Sequence, residues 1–548
     1  MALKFENENT WLKSSKSGQT SEFHRKYEES IEKVREQFRK RYPNIIDGKE
    51  VYSNEGEFEE EKAQVLFESK DDIHVGEGEF ENRSPNDKRL LIGIFQKGTR
   101  KDTSNAIEAA LKAFDQWRKV KYKERITIFS RAADIFSERK YELAAWMSFE
   151  NGKNRFEAIA DVDETIALTR YYCLILGNEK GFDKTMGKAV PEEETRSILK
   201  PYGVWGVISP FNFPLAIATG MSVGALITGN TVVFKPSSDT PLMGFMLYKV
   251  LKQAGLPKGV FNYVSGQGNT VGEEIVENPN VGGIIFTGSK EVGLSAYSRF
   301  IGKFPRPFIA ELGGKNPVIV SSKADLENAA EGIVRAAFGY GGQKCSAASR
   351  VYIDKKIKNK FVELLKSKTE GLPIGNSINK DSFLGPLINE KAYRNFQSYA
   401  EIAFKDGCIV TGGHIIKKGD LKYGFYVEPT IVDSLPKNHR LFKEELFVPI
   451  LCISEINGIE EGIKLANNVD YGLTAGIFTQ DVTEGQKFLD DIDSGVVYIN
   501  RKMGATTGAM AGSQPFVGWK MSGTSGKGAG GLYYLQQFLR EQSQTKYS

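Results

Sequence analysis

Six short segments of this 548-residue chain hold residue types that do chemistry. In GQKCSAASR (342–350), Cys345 stands among small and polar residues with Lys344 before it. A cysteine among apolar neighbours, such as Cys452 in PILCISEI, reads as core packing. Cys345 has the setting of a reactive thiol near a turn, so this segment leaves both nucleophile and packing residue open. In IAELGGKNPVIV (309–320), a strand-like run ends at Glu311 and a Gly-Gly turn follows. Glycines let a backbone pass close to a ligand. A carboxylate at such an edge is either a general base or a solvated turn residue. In GVISPFNFPLAI (206–217), Asn212 lies between two aromatic rings, where an amide needs a partner. It either caps a helix starting near Pro214 or donates to a developing oxyanion. Lys235 ends the strand-like run in TVVFKPSSDTP, where a cation suits phosphate or ribose but is also a common surface residue. VSGQGNTVGEEI (264–275) and IIFTGSKEVG (284–293) both read as strand, glycine turn, helix. Helix N-termini bind phosphate, although the first of these is one residue off the usual dinucleotide spacing.

The histidines His24, His74, His414 and His439 all sit in polar or turn-like stretches and read as ordinary surface residues. A Cys–His catalytic pair is therefore poorly supported. The cysteines Cys173, Cys345, Cys408 and Cys452 are too few and too scattered for a disulfide framework or a CxxC metal site. No metal is expected, and a reducing cytoplasm is the simplest setting. The 73 basic residues nearly balance the 69 acidic ones. That balance points away from nucleic acid and anionic membranes as partners. The first twenty residues have no apolar core of the signal-peptide kind, and no run is long and apolar enough to span a bilayer.

Elements must position these groups. The first ~90 residues are charged and irregular. Within them, 26–42 has helical spacing and 55–72 is acidic and reads as a solvated face. A long helical region begins at Thr103, with Thr103 or Ser104 as its N-cap. From Ile198 onward short β-rich runs alternate with helical stretches, which predicts an α/β fold with a parallel sheet and ligands at the strands' carboxyl ends. A second α/β set starts near 316–322.

Read in order, PFNFP, NTVVFKPS, FTGS, ELGGKNP, GQKCSA and EELFVP resemble the aldehyde dehydrogenase superfamily, and the resemblance covers about residues 85–540. Glu311 precedes Cys345 by 34 residues, as the base precedes the nucleophile in that family. The resemblance implies an N-terminal extension (1–85) and a Rossmann-like NAD(P)-binding domain (86–185 and 201–312). An α/β catalytic domain (313–525) and a small oligomerisation arm (186–200 and 526–548) complete it, and a homo-oligomer is expected. It implies NAD or NADP as cofactor and a small-molecule aldehyde as substrate. Cys345 then matches the nucleophile, Glu311 the base that activates water, and Asn212 the oxyanion donor, shared with the Cys345 N–H. Lys235 matches the lysine on the adenosine ribose, with Ser238 three residues on. Gly268 and Gly272 match the adenine side, and Ser289 the pyrophosphate. Glu445 and Phe447 match the pair at the nicotinamide ribose, while Ile208, Ser209, Pro210, Phe211, Thr287 and Gly288 complete the cofactor site.

Two positions depart from the family's pattern. Val448 stands where a glycine is common, and Ser238 where many NAD-specific members carry a glutamate. A missing carboxylate removes repulsion against a 2′-phosphate, so use of both NAD and NADP is expected. The segment 499–542, with GQKCSA, resembles the branch that converts glutamate semialdehyde (1-pyrroline-5-carboxylate when cyclised) to glutamate in proline catabolism. In that reading Ser346, Gly508 and Ala509 hold the substrate's α-carboxylate in an anion nest. Phe213 and Phe516 pack on its aliphatic stem, and Glu157 stands near its amino group. Other carboxylated semialdehydes, succinic or 2-oxoglutaric, and a non-catalytic protein of this fold are the alternatives.

Overall fold

The computed structural model describes residues 5–53, 75–302, 305–502 and 510–547. The acidic stretch 55–72, His74, Gly508 and Ala509 lie outside the described residues.

Runs of Val, Ile and Phe closed by Gly, Pro or Ser form two seven-stranded sheets. In the first, five parallel strands run in the order Phe308–Glu311, Val281–Thr287, Val204–Ile208, Thr231–Lys235, Phe261–Tyr263. Their apolar faces are covered on both sides, as parallel sheets require. Trp205, Val207, Phe234 and Ile284 are fully buried. Each such side chain contributes roughly 1.5–3 kcal/mol of burial free energy. The second sheet has Ile450–Ile456, Ala348–Asp354, Asn316–Val320 and Thr474–Phe478 at its centre, again parallel. A separate three-stranded sheet joins Asp183–Thr185, Glu193–Pro201 and Leu539–Tyr547. The helix Ala216–Ile227 is apolar almost all round, and it and the helix Arg155–Asn178 lie largely buried behind the first sheet.

The N-terminal region is more ordered than its composition predicts. The helix there spans Thr20–Arg35, not 26–42, and residues Lys40–Tyr42 are a strand parallel to Leu91–Gln96. Phe23, Tyr27, Ile31 and Val34 fall on one helical face and are buried in the core. The hydroxyl of Tyr27 donates to the Ala144 carbonyl at 2.9 Å. Asn44–Ile46 and Lys49–Val51 extend the first sheet by two antiparallel strands. The helical region after residue 98 starts at Arg100, and its N-cap is Thr99, not Thr103 or Ser104. Thr99 accepts from the Asp102 N–H at 3.1 Å, and the Asp102 carboxylate accepts from the Thr99 N–H at 2.9 Å. That reciprocal pair outcompetes an isolated hydroxyl one turn later. No helix among the described residues is long and apolar enough to cross a membrane.

Candidate active site

Lys235 and Glu311 each end a strand of the first sheet, at its carboxyl edge. Asn212 lies in the loop between the strand Val204–Ile208 and the helix Ala216–Ile227. Cys345 lies in the turn before the strand Ala348–Asp354 of the second sheet. The site therefore forms where the two sheets' strand ends face each other.

A cleft of about 1290 Å³ opens at this edge. Lys235, Ser238, Gly268, Gly272, Ser289 and Glu445 line it, as do Phe447, Thr287, Gly288 and the run Ile208 to Phe211. The sequence reading therefore converges on one cavity. The donors suit a dinucleotide. Ser289 caps the helix Lys290–Ile301, whose N-terminus points its free N–H groups at the cleft. A Cβ on Gly268 would meet nothing within 4 Å, so the wall there is open. Lys235 is buried, its Nζ donates to the Pro236 carbonyl at 2.9 Å, and burial brings its pKa down to about 8. Ser238 is exposed at the rim and donates to the Gly266 carbonyl at 3.0 Å. Phe211 and Phe447 meet edge to face at 5.8 Å.

The turn at Glu445 is tightly fitted. Its Oε1 accepts from the Gly314 N–H at 2.8 Å, and burial lifts its pKa to about 7. A Cβ on Gly313 would sit 2.2 Å from Glu445 Oε2, and one on Gly314 would sit 2.4 Å from the Cys345 carbonyl oxygen. Gly314 is a steric necessity because it faces fixed backbone, whereas a side chain at 313 would displace the Glu445 carboxylate. Val448 is accommodated because the left-handed backbone falls at Phe447, with φ of 57°, and not at residue 448.

A second, smaller cavity of about 60 Å³ lies behind the first. Phe213, Phe516, Ser346, Glu311 and Glu164 line it. Cys345 and Thr287 line both cavities, so the thiol stands at their junction. Burial, together with the carboxyls of Glu445 and Glu311, pushes the Cys345 thiol well above its ordinary range. Burial also pushes Glu311 well above the usual carboxylate range, and its Oε2 has no hydrogen-bond partner among the described residues. A carboxyl so placed is ready to exchange a proton with whatever enters the cavity.

Asn212 does not cap the following helix. The Ala216 N–H donates to Asp161 Oδ1 at 2.7 Å, so the helix start is served from a neighbouring helix. Asn212 lines the larger cleft, and its amide nitrogen makes no hydrogen bond within the protein among the described residues. A donor is therefore free to meet a developing negative charge.

Glu157 is differently engaged from its expected role. Its carboxylate pairs with Lys344 Nζ at 2.7 Å and does not line either cavity. Burial alone raises its pKa, but Lys344 and Lys153 outweigh that and hold it below the usual carboxylate range. Glu164, two turns along the same helix, lines the smaller cavity instead. Glu157, Asp161 and Glu164 recur at steps of four and three, a helical face of carboxylates that the sequence reading passed over.

This fold and site define a class. Residues 74–544 match the aldehyde dehydrogenase family, and the chain belongs to it. It is similar to "1-pyrroline-5-carboxylate dehydrogenase 1" of Halalkalibacterium halodurans, with 38% identity over 94% of this chain and 95% of the relative. It is similar also to the 1-pyrroline-5-carboxylate dehydrogenase of Bacillus subtilis, with 36% identity over 92% of this chain and 93% of the relative. Among solved structures, the 1-pyrroline-5-carboxylate dehydrogenase from Thermus with bound NAD superposes with a TM-score of 0.89. That match has 32% identity and covers 100% of this chain and 99% of the other.

Proposed function

We infer that this chain is an NAD-dependent aldehyde dehydrogenase that oxidises L-glutamate γ-semialdehyde, the open form of 1-pyrroline-5-carboxylate, to L-glutamate in proline catabolism. The observation that carries this reading is the meeting of the two cavities at Cys345. The names of its relatives support the substrate.

The Cys345 thiol loses its proton to solvent, the thiolate adds to the aldehyde carbon, and the carbonyl oxygen takes up negative charge. The Asn212 amide and the Cys345 N–H stabilise that charge where it develops. NAD, when bound in the cleft, would supply the acceptor for the hydride of the tetrahedral carbon. A thioester to Cys345 remains. Glu311 takes a proton from water, the resulting hydroxide attacks the thioester carbon, and the sulfur leaves as a thiolate that regains its proton. Lys235 and Ser238 hold the adenosine ribose, Gly268, Gly272 and Ser289 the adenine and phosphate side, and Glu445 with Phe447 the nicotinamide ribose. Ser238 carries no charge to repel a 2′-phosphate, so NADP serves as well. Ser346, with Gly508 and Ala509, holds the α-carboxylate, while Phe213 and Phe516 flank the stem. Glu164 faces the amino group.

The cofactor-binding domain is taken as 86–185 with 201–312, the catalytic domain as 313–525 and the arm as 186–200 with 526–548. The exposed Met186, Val190 and Tyr547 on the arm's strands and hairpin give it an apolar face that suits a homo-oligomer. A balanced charge and free thiols fit a cytoplasmic setting.

The test is a comparison of kcat/KM for glutamate semialdehyde, pentanal and succinic semialdehyde. One charge-assisted hydrogen bond to the carboxylate contributes about 1.5–3 kcal/mol. Glutamate semialdehyde should therefore exceed pentanal by roughly tenfold or more. Indifference between those two removes the substrate assignment, and a preference for succinic semialdehyde replaces it with a substrate lacking the amino group.

A further inference from the structure

The short segment between the helices Lys140–Glu150 and Arg155–Asn178 touches both halves of the reaction centre without lining either cavity. On one side it grips the loop that carries Asn212. The Asn151 side-chain nitrogen donates to the Phe211 carbonyl at 3.2 Å. Lys153 Nζ stands 3.6 Å from the centre of the Phe213 ring. Asn212 lies between those two anchored residues.

On the other side the segment holds the nucleophile turn. The Tyr340 hydroxyl donates to the Asn151 carbonyl at 2.8 Å. The Tyr340 carbonyl in turn accepts from the Gln343 N–H at 3.2 Å, two residues before Cys345. Tyr340, Gly341 and Gly342 all have positive φ, so this turn is tightly wound and its shape depends on such anchors. Lys344 Nζ approaches the same Phe213 ring at 6.0 Å.

Lys153 is itself held. It is fully buried and bonds to Asp161 Oδ2 at 2.7 Å. The other oxygen of Asp161 caps the helix that begins at Ala216, three residues past Phe213. A buried ion pair is a costly way to fill a core, and an apolar pair of the same volume would serve packing alone at least as well. What the charges add is direction: a cation over a ring face and a carboxylate at a helix start fix the loop between them.

We propose that Asn151 and Lys153 are positioning residues that set the placement of the Asn212 donor relative to the Cys345 sulfur. The inference rests on Asn212 being the oxyanion donor. Its consequence is that changes behind the loop slow the chemical step without weakening cofactor binding, since misplacement by ~1 Å costs on the order of 10²-fold in rate.

The experiment measures single-turnover NADH formation, NAD affinity and KM in four proteins. They are the wild type, Asn212→Ala, the charge-removing pair Lys153→Met with Asp161→Asn, and the combination of all three substitutions. Asn151→Ala is a milder probe that deletes one hydrogen bond to the same loop and serves if the charge-removing pair does not fold. The expected result is a roughly tenfold to hundredfold slower hydride step for the pair, about threefold to tenfold for Asn151→Ala, and unchanged NAD affinity. On the Asn212→Ala background the pair should cost less than about twofold, because the group through which it acts is gone. Lys153→Arg, which keeps the cation, should recover part of the rate. Equal losses on both backgrounds would overturn the positioning role while leaving Asn212 as the oxyanion donor. An unchanged hydride rate in both the pair and Asn151→Ala would also overturn it. If Asn212→Ala alone leaves the hydride step intact, the oxyanion reading falls and the inference falls with it.

Discussion

The side-chain nitrogen of Asn316 donates to the carbonyl oxygen of Cys345 at 2.7 Å. The same nitrogen reaches the Ala347 carbonyl at 2.9 Å, and Asn316 Oδ1 accepts from the Thr474 N–H at 3.0 Å. The peptide before Cys345 is held as well, because the Lys344 carbonyl accepts from the Ala347 N–H at 3.0 Å. Peptides are planar, so fixing both neighbours fixes the direction of the Cys345 Cα–Cβ bond and of its N–H. The thiol is thus presented by the second sheet in one orientation, toward groups carried by the first.

Cys345→Ala should abolish dehydrogenase turnover and leave NAD affinity within about twofold. No other residue that lines both cavities can hold an acyl group, since Thr287 is a β-branched alcohol with no base positioned on it. Isothermal titration with NAD, beside a turnover assay, checks both halves. Substantial turnover in clean protein contradicts the assigned nucleophile.

Glu311→Gln should slow thioester hydrolysis by roughly 10²–10⁴-fold, the usual contribution of a general base. Hydride transfer should persist, giving a burst of NADH before slow turnover. The pH dependence has a definite sign. The carboxyl must be ionised to take a proton, and burial raises its pKa well above the ordinary value, so kcat should climb as pH rises through that pKa. In the glutamine variant that climb should vanish from the slow phase. Equal slowing of burst and steady state would place Glu311 outside deacylation.

Gly314→Ala should lower stability and activity together. The new methyl would sit 2.4 Å from the Cys345 carbonyl oxygen, inside contact distance, so either the turn or the nucleophile must move. A cost of about 1–3 kcal/mol is typical for overpacking of this kind. Thermal unfolding and single-turnover rates read the two effects. A variant with wild-type values in both would show that the turn is looser than its geometry implies.

Much of this site was legible from residue order alone. Glu311 and Lys235 stand out because each ends an apolar run just before a glycine or proline turn, and such run ends become the edges of parallel sheets, whereas Cys345 and Asn212 lie in turns and owed their roles to the resemblance. What the sequence did not disclose were partnerships across the chain. Glu157 looked free for substrate because its partner Lys344 is 187 residues away. The cap of the helix at Ala216 comes from Asp161, 55 residues back, so residue types alone left a capping role for Asn212 open beside the oxyanion role. Residues 44–51 read as irregular because strands of three residues are too short to show an alternating pattern. Gly508 and Ala509 lie outside the described residues, and their role stands on the resemblance alone.

Ser238→Glu should shift the cofactor balance toward NAD. Ser238 sits at the rim of the cleft near the place assigned to the adenosine ribose, beside the half-buried Asp239, whose Oδ1 accepts from Asn389 at 3.1 Å. A carboxylate at 238 would accept from the ribose hydroxyls and repel a 2′-phosphate. The ratio of kcat/KM for NAD over NADP should rise by on the order of tenfold or more, the scale of one charged hydrogen bond. No detectable NADP activity in the wild type would show that Ser238 does not set the preference.

Glu164→Gln should reduce kcat/KM for glutamate semialdehyde by roughly tenfold and change that for pentanal by less than about twofold. The carboxylate lines the aldehyde-side cavity, and only the amino acid substrate brings an ammonium to meet it. Equal losses for both aldehydes would make Glu164 a structural residue of the helix.

The most direct measurement of the central claim is chemical trapping of the intermediate. The Glu311→Gln protein is mixed with glutamate semialdehyde and NAD, quenched in acid during the burst, and digested for mass spectrometry. The account predicts a glutamyl group in thioester linkage on the peptide containing Cys345, in an amount matching the NADH released. NADH release with no adduct on Cys345, or an adduct on another residue, would contradict it.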